Sequence, residues 1–338
     1  MNILVDRHQA DLLWSLQRLF EDRFGRSLYV PVGHEWWDEE IWQFGHGYGD
    51  DRLAQQFLMP WDGVWKETQP GLYVTNDPCH PERPVYGVTY DRARTMDWEF
   101  VMPTVPDNQD GYHRFAGNVG ARYLCQVGNT GQFVDWSLDP VVLASSEVAF
   151  PEGATAIRYH QEMDLSAYPH SPEGFDPMLI VSFLNLFDRI RPNFDAWEYA
   201  EHVLGIDGFR FERYGHEQPG GFLSPVHAVG AKMIDAAWGW HDKPVGDGFG
   251  HVIHAWAAVG RPVIGHAAHY RGKLAEPFWQ DGVTCLDLGA RPLEDTIRMI
   301  RDCTPARHFE MCWNIRCEFE RVVDYDVEAD AIRDLIGA

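Results

Sequence analysis

The sequence predicts an α/β protein of two domains, and three observations support this class. The chain has 338 residues, which is enough for two domains with separate cores. Apolar stretches of strand length alternate with amphipathic stretches of helix length in both halves. A stretch rich in proline and glycine, 168–177, is typical of a linker. We therefore expect an N-terminal domain over residues 1–174, a second α/β domain over 175–304 and a C-terminal helical segment over 305–338.

The first half begins with a strand, a helix and a strand, at residues 2–5, 10–24 and 28–32. Such a unit implies parallel strands joined by a helix. The aromatic-rich stretch over about 34–84 is expected to be an insertion with short helices. Further strands are predicted at 100–103, 122–127 and 141–145, with a helix at 112–121.

The second half begins with a continuous apolar run at 178–183, which predicts a buried parallel strand. A helix, a strand, a helix and a strand follow at 193–204, 209–214, 225–236 and 237–240. The last of these strands ends in the tripeptide His241-Asp242-Lys243. Because ligands of open α/β sheets bind beyond the carboxyl ends of the strands, this tripeptide is well placed for a site.

A glycine-rich turn at 245–250 runs into an apolar helix that ends at Gly260, before a strand at 261–265. Gly248 and Gly250 would let a ligand approach the backbone closely. The first amides of a helix and the positive end of its dipole favour phosphate. An ordinary turn before a core helix would contain the same glycines, so the pattern alone leaves both interpretations open.

The order of motifs over about 178–301 resembles the donor-binding half of nucleotide-sugar glycosyltransferases of the GT-B fold. In that family a Glu-Gly-Phe-Gly loop opens a helix, a Gly-x-Pro-Val-Ile strand follows, and an Asp-Gly-x-Thr-Gly-Leu-like segment closes the site. The matching segments here are Asp247-Gly248-Phe249-Gly250, Gly260-Arg261-Pro262-Val263-Ile264 and Asp281-Gly282-Val283-Thr284. The resemblance implies two Rossmann-like domains facing each other across a cleft, with the C-terminal segment returning to the first domain.

The departures from the family pattern bear on stereochemistry. Retaining members carry two acidic residues eight positions apart; Asp247 occupies the first position, but Ala255 stands at the second. His254 and the residues after it are similar to the His-x-Ala-Ala-Ala-x-Gly-Lys-Pro pattern of heptosyltransferase-like inverting enzymes. The resemblance therefore supports the fold and leaves inversion or retention open.

The resemblance implies a donor site in the second domain, where backbone amides and positive side chains hold the diphosphate of a nucleotide sugar. Solvated surface charge is the alternative for the lysines. The predicted donor-binding residues are Lys243, Asp247, Gly248, Phe249, Gly250, His251, His254, Arg271 and Lys273.

A general base is expected just after the first strand, as the resemblance to inverting enzymes implies. His8 is the candidate, with Asp11 or Asp6 as the carboxylate that orients it. A loop histidine and an acidic residue at a helix start would look the same. Asp110 and His113 are the next candidates.

No metal is expected, although His251 and His254, and also His266 and His269, are spaced by three. Neither pair has Cys or Glu at ligand spacing, and 16 histidines make chance pairs common. GT-B enzymes usually need no metal, because helix dipoles supply the positive potential. We expect no cofactor beyond the nucleotide sugar itself.

The net charge of −23 argues against a nucleic-acid partner, which would be repelled over most of the surface. Six cysteines without a Cys-x-x-Cys pair indicate reduced thiols. The longest apolar run is too short to span a bilayer, and the first residues lack a signal-peptide pattern. A cytoplasmic enzyme is the expectation.

The predicted function is a metal-independent glycosyltransferase that moves a sugar from a nucleotide sugar to an acceptor hydroxyl. The tryptophans between Trp36 and Trp65 could stack on an acceptor sugar or base, or belong to the core. The alternatives are a non-hydrolysing sugar-nucleotide epimerase and an inactive nucleotide-sugar-binding protein. Transfer to a DNA base is a less favoured variant. The nucleotide, the acceptor and the oligomeric state stay open.

Overall fold

The chain forms two compact units in a computed structural model. Unit 1 comprises Met1–Met163 together with Tyr325–Ala338, and unit 2 comprises Asp164–Asp324. The division therefore lies ahead of the predicted linker at 168–177. The structure describes residues 1–6, 10–33, 35–39, 41, 65–77, 79–104, 109–129, 131–244 and 247–337.

The strands of unit 1 are β1 Asn2–Val5, β2 Ser27–Pro31, β3 Lys66–Gln69, β4 Leu72–Asn76, β5 Pro84–Val88, β6 Trp98–Met102, β7 Arg122–Val127, β8 Val141–Ala144 and β9 Ala156–Arg158. Within the described residues they form one sheet in the order β3-β4-β5-β2-β1-β6-β7-β8-β9. The pairs from β5 to β9 are parallel, with Ile3 opposite Leu28 in the β1–β2 register. Only β3 and β4 run antiparallel to their neighbours.

The predicted insertion over 34–84 was expected to contain short helices. This prediction is wrong for residues 66–76, which form the strands β3 and β4. The hairpin of β3 and β4 lies at the edge of the sheet, and β4 pairs with β5. Pro70 and Gly71 form the turn, and Gly71 has a φ of +75°, a conformation in which glycine is favoured. A turn with this chemistry joins two strands directly.

The strands of unit 2 are β10 Asp176–Phe183, β11 Arg210–Tyr214, β12 Ala236–Trp240, β13 Val263–Gly265 and β14 Cys285–Asp287. They form a wholly parallel sheet in the order β11-β10-β12-β13-β14. β10 lies in the interior of this sheet, and Ile180 and Val181 are fully buried, as its continuous apolar sequence predicts.

The helices connect these strands and cover the sheets. They are α1 Ala10–Gln17, which continues as a π-helical segment over Arg18–Arg23, α2 Glu35–Asp38, α3 Tyr90–Ala93, α4 Gln109–Val119, α5 Asn193–Ile206, α6 Val226–Asp235, α7 His251–Val259, α8 Leu293–Arg301, α9 Pro305–Val322 and α10 Tyr325–Ile336.

The C-terminal segment divides between the two units, which corrects the prediction that 305–338 returns to the first domain as a whole. α9 packs against α7, and its Met311 belongs to the core of unit 2. Only α10 returns: Ile332 and Ile336 are buried with Ile3 and Phe20 in the core of unit 1. The spacing of four residues puts both isoleucines on one face of the helix, which explains this docking.

Candidate functional site

Polar residues collect at the carboxyl end of the parallel sheet in unit 2. His241 and Asp242 follow β12, His266 follows β13, and Asp287 ends β14. His241 and Asp242 are almost completely buried. Since ligands of open parallel sheets bind at this edge, these residues mark a candidate site.

The predicted donor loop enters α7 through a left-handed turn at Gly250, whose φ is +77°. The amides of Ile253 and His254 donate to the Gly250 carbonyl at 2.9 and 3.0 Å. The amides of His251 and Val252 precede the helix's own hydrogen bonds, and they lie at the positive end of its dipole. Such a helix start is the geometry that the anion-site prediction requires, and the binding of an anion there stays a prediction. Two residues of the predicted turn, Val245 and Gly246, lie outside the described part.

The buried side chains of His254 and Phe249 pack together beneath this turn and stabilise it. Both side chains are buried, and their rings stack with centroids 4.1 Å apart. The Nδ1 of His254 lies 3.0 Å from the Gly250 carbonyl and donates to it. His251 also approaches Phe249, at 5.7 Å between ring centroids. The histidine and the phenylalanine therefore fix the loop on which the first amides of α7 are presented.

Asp247 contacts both predicted lysines, Lys243 and Lys273. Its carboxylate pairs with the Nζ of Lys243 and lies 2.9 Å from the Nε2 of His241. The Nζ of Lys273 donates to the Asp247 carbonyl at 3.2 Å. Burial opposes ionisation of Asp247, but hydrogen bonds and positive charge from His241 and Lys243 lower its pKa far below the ordinary value. Arg271, the remaining predicted cation, is exposed.

A second network at this edge was not predicted. Asn193 Nδ2, at the start of α5, donates to Asp242 Oδ2 at 2.7 Å. The other oxygen of this carboxylate, Oδ1, lies 2.6 Å from His266 Nδ1. This hydrogen bond is the largest cause of the raised pKa of His266. The sequence placed Asp242 at a strand end, but only the fold brings Asn193 and His266 to it.

His269 joins the same group, with its Nδ1 3.7 Å from Asp242 Oδ1. The ligand atoms of Asp242, His266 and His269 all lie within 4.8 Å of one another, a spacing found around metal ions. Burial is the largest cause that lowers the pKa of His269. In the sequence, the His266–His269 pair has no carboxylate at ligand spacing. The fold brings the carboxylate of Asp242 to this pair.

In unit 1 the candidate base His8 lies outside the described residues. Asp11, in the first turn of α1, lies 3.0 Å from the Nε2 of His80. His80 is buried and stacks on Trp14. Asp6 is buried and accepts a hydrogen bond from the Thr104 amide at 2.8 Å, which joins the ends of β1 and β6. The sequence contains no signal that would pair His80 with Asp11, because they are far apart in the chain.

Trp36 belongs to the core of unit 1, so the core interpretation of this tryptophan is the correct one. It is fully buried, and its Nε1 donates to the Val88 carbonyl at 3.0 Å. Trp65 is partly buried against the core. The side chain of Trp37, and all of Trp42 and Trp61, lie outside the described part.

Unit 1 has a pocket of about 500 Å³ between the loops that follow β7 and β8. Phe133 and Trp136 line it, and Phe133 is 60% exposed, although it is a large apolar side chain. Gln132 and Ser146 add polar groups. The buried Oγ of Ser146 has no hydrogen-bond partner among the described residues. The pocket thus combines an aromatic wall with an unused polar atom.

None of the described helices is both long and apolar enough to span a membrane.

Two Rossmann-like units, one on a mainly parallel sheet and one on a wholly parallel sheet, are typical of the GT-B class of fold, and comparison with solved structures agrees. No protein-family model and no curated protein sequence matches the chain. TarM from S. aureus aligns over 100% of both chains, with 8% identity and a TM-score of 0.62. An alpha-glucosyltransferase in complex with UDP also aligns over 100% of both chains, with 10% identity and a TM-score of 0.61.

HepE from Anabaena, in complex with UDP and glucose, covers 100% of this chain and 99% of its own, with 11% identity and a TM-score of 0.56. The likeness therefore extends over the whole chain and not only over the motifs at 178–301. The chain has the GT-B fold that the sequence predicted.

Proposed function

We propose that this protein is a glycosyltransferase that moves a sugar from a nucleotide sugar to an acceptor hydroxyl. The observation that carries the proposal is the left-handed turn at Gly250, which presents the first amides of α7 after a loop whose Asp247 contacts both Lys243 and Lys273. The three structural neighbours support it, because each was crystallised with UDP. UDP is therefore the first nucleotide to test.

The proposed chemistry centres on the leaving diphosphate. As the bond between the sugar and the phosphate oxygen breaks, negative charge grows on that oxygen. The amides of His251 and Val252 and the ammonium groups of Lys243 and Lys273 would stabilise this charge. Because the lysines are cations and the amides lie at the positive end of the helix dipole, we propose that the transfer needs no divalent ion.

We further propose that unit 1 receives the acceptor. The pocket beside Phe133 and Trp136 offers an aromatic face on which a sugar ring or a planar group can stack. His8 remains the proposed base, with Asp11 as the carboxylate near it in sequence. This assignment rests on the sequence alone.

The decisive experiment incubates the protein with UDP, GDP, ADP, TDP and CMP sugars and measures nucleotide release and the sugar product. Release that depends on an added acceptor supports the proposal. An epimerised sugar without an acceptor would identify an epimerase, and binding without turnover would identify a nucleotide-sugar-binding protein. Either result contradicts the proposed transfer.

The acceptor panel should include DNA, because an alpha-glucosyltransferase of the same fold was crystallised with a 13-mer DNA that contains an HMU base. The net charge of −23 opposes a polyanion. We expect transfer to small glycans or other neutral hydroxyl compounds and none to this DNA.

A further inference from the structure

A buried carboxylate and two histidines meet at the carboxyl edge of the sheet in unit 2. Asp242 is 0% exposed, and the groups within ion-pair distance of it among the described residues are His266 and His269. The ligand atoms of the three side chains all lie within 4.8 Å of one another. They follow the neighbouring strands β12 and β13, so the parallel sheet brings them together.

The turn after β13 presents both imidazoles to Asp242. The amide of His269 donates to the His266 carbonyl at 3.1 Å, and the centroids of the two rings lie 5.2 Å apart. The amide of Ala267 donates to Asp287 Oδ1 at 3.0 Å, which ties this turn to the end of β14. The backbone of the turn therefore holds the two histidines close to one carboxylate oxygen.

Asn193 fixes the orientation of the carboxylate. Its Nδ2 donates to Asp242 Oδ2 at 2.7 Å. The other oxygen, Oδ1, meets the histidines and lies 2.6 Å from Nδ1 of His266 and 3.7 Å from Nδ1 of His269. Carboxylates that bind metal ions are commonly oriented by such an outer hydrogen bond.

One nitrogen of this group has no hydrogen-bond partner among the residues that the structure describes. It is Nδ1 of His269, which is buried from solvent. An unsatisfied buried polar atom is destabilising, and a metal ion beside Asp242 would supply the missing partner. The side chain of His266 is 34% exposed, so the group is accessible from solvent.

The distances suit a zinc ion after a small movement. Ligand atoms that lie about 2.0–2.2 Å from a tetrahedral zinc ion are about 3.3 Å from one another. The contacts of Asp242 Oδ1, at 2.6 and 3.7 Å, lie on either side of this value. Without an ion, the hydrogen on Nδ1 of His266 bridges the shorter contact. The ion takes the place of this hydrogen, and the bound ring carries its hydrogen on Nε2.

We propose that Asp242, His266 and His269 bind a zinc ion, with the remaining coordination position left to water. Two imidazoles and one carboxylate suit Zn²⁺ better than Mg²⁺ or Ca²⁺, which prefer oxygen ligands. The sequence predicts no metal here, because Asp242 and His266 are 24 positions apart.

The ion joins the ends of β12 and β13 and so stabilises unit 2. It is separate from the proposed transfer chemistry, in which amides and lysines stabilise the leaving diphosphate. Zinc binding can therefore be measured without a nucleotide, and its outcome does not depend on the proposed function.

Calorimetric titration of the chelator-treated protein with ZnCl₂ compares the wild type with His266→Gln and His269→Gln. The control is His227→Gln, whose side chain is 55% exposed. We expect the wild type and the control to bind one Zn²⁺ with a Kd of roughly 1 μM or below. Each of the two ligand variants should weaken this binding by roughly a hundredfold, and Asn193→Ala, which keeps all three ligands, by roughly tenfold.

Two further measurements locate the ion. Zn²⁺ should raise the thermal unfolding midpoint of the wild type and of His227→Gln, and should raise it much less in the two ligand variants. Anomalous diffraction at the zinc edge should place one ion between Asp242, His266 and His269. Titration with MgCl₂ should show far weaker binding than ZnCl₂.

Two results would overturn the proposal. One is a wild-type protein that binds no Zn²⁺ in the micromolar range. The other is Zn²⁺ binding by His266→Gln and His269→Gln that equals the wild type, which would assign the ion to other histidines of the chain. Failure of sugar transfer with every nucleotide sugar would instead remove the proposed function alone, because ion binding is measured separately.

Discussion

At the scale of single residues, Gly250 has the most direct effect on the donor loop. Its φ of +77° is a conformation that other residues adopt at a cost of about 1–2 kcal/mol, and a Cβ here would lie 3.2 Å from that of Ala275. We expect Gly250→Ala to weaken nucleotide-sugar binding by roughly tenfold or more, since about 1.4 kcal/mol corresponds to a factor of ten. Calorimetry measures the affinity.

The matched control for this substitution is Gly221→Ala. Gly221 has a φ of +69° and, among the residues that the structure describes, no atom within 4 Å of an added Cβ, so an alanine there carries the same backbone strain without the contact. It should lose stability without losing affinity. Equal binding by the Gly250 and Gly221 variants would remove the donor loop from the site.

The two lysines near Asp247 are expected to act mainly in the transition state. Replacing Lys243 or Lys273 by Met should lower kcat by roughly one to two orders of magnitude and change donor affinity less, because the extra charge appears as the bond breaks. Steady-state kinetics with saturating donor measures this difference. Wild-type kinetics in both variants would show that these lysines serve only to pair with Asp247.

The base assignment to His8 is the sharpest prediction drawn from the sequence alone. His8→Ala should reduce the rate at saturating donor and acceptor by roughly two to four orders of magnitude, with little change in donor binding. The acid limb of the pH–rate profile should disappear in the variant. His202→Ala, an exposed histidine of unit 2, is the control. A fully active His8 variant would move the assignment to Asp110 or His113.

At the scale of elements, the sequence predicted the strands and helices whose hydrophobic pattern is long and regular. The continuous apolar run of β10 and the helical spacing in α1 both appear where they were expected. β9 and β14 were missed, because each has three residues and depends on a neighbouring strand for its hydrogen bonds. The hairpin of β3 and β4 was missed because its aromatic surroundings obscured the Pro70-Gly71 turn.

α10 illustrates an element whose stability comes from packing. Ile332 is 1% exposed in the core of unit 1, so Ile332→Ala should destabilise that unit by about 2–5 kcal/mol. Val327, on the same helix, is 63% exposed, and Val327→Ala should have little effect. Urea unfolding measures both. Both substitutions raise helix propensity, so similar losses in the two variants would contradict the assignment of the effect to the burial of Ile332.

At the scale of the whole molecule, the chain ends in the unit in which it began. Removing residues 325–338 should accelerate amide exchange in β1 and α1, because the core around Ile3 and Phe20 loses Ile332 and Ile336. Exchange in unit 2 should stay unchanged, since α9 is retained there. Hydrogen exchange followed by mass spectrometry resolves the two units, and uniform exchange across both would contradict this division.

The sequence by itself determined the α/β class, the two-unit organisation and the glycine turn that opens α7, because glycines at a helix start and apolar runs of strand length are local features. The tertiary structure decided which distant residues meet. Asn193, Asp242 and His266 follow or precede different strands, and only the parallel order β10-β12-β13 places their polar atoms in contact. The same holds for His80 with Asp11 and for Ile332 with Ile3, since such contacts depend on packing between elements and leave no local pattern in the chain.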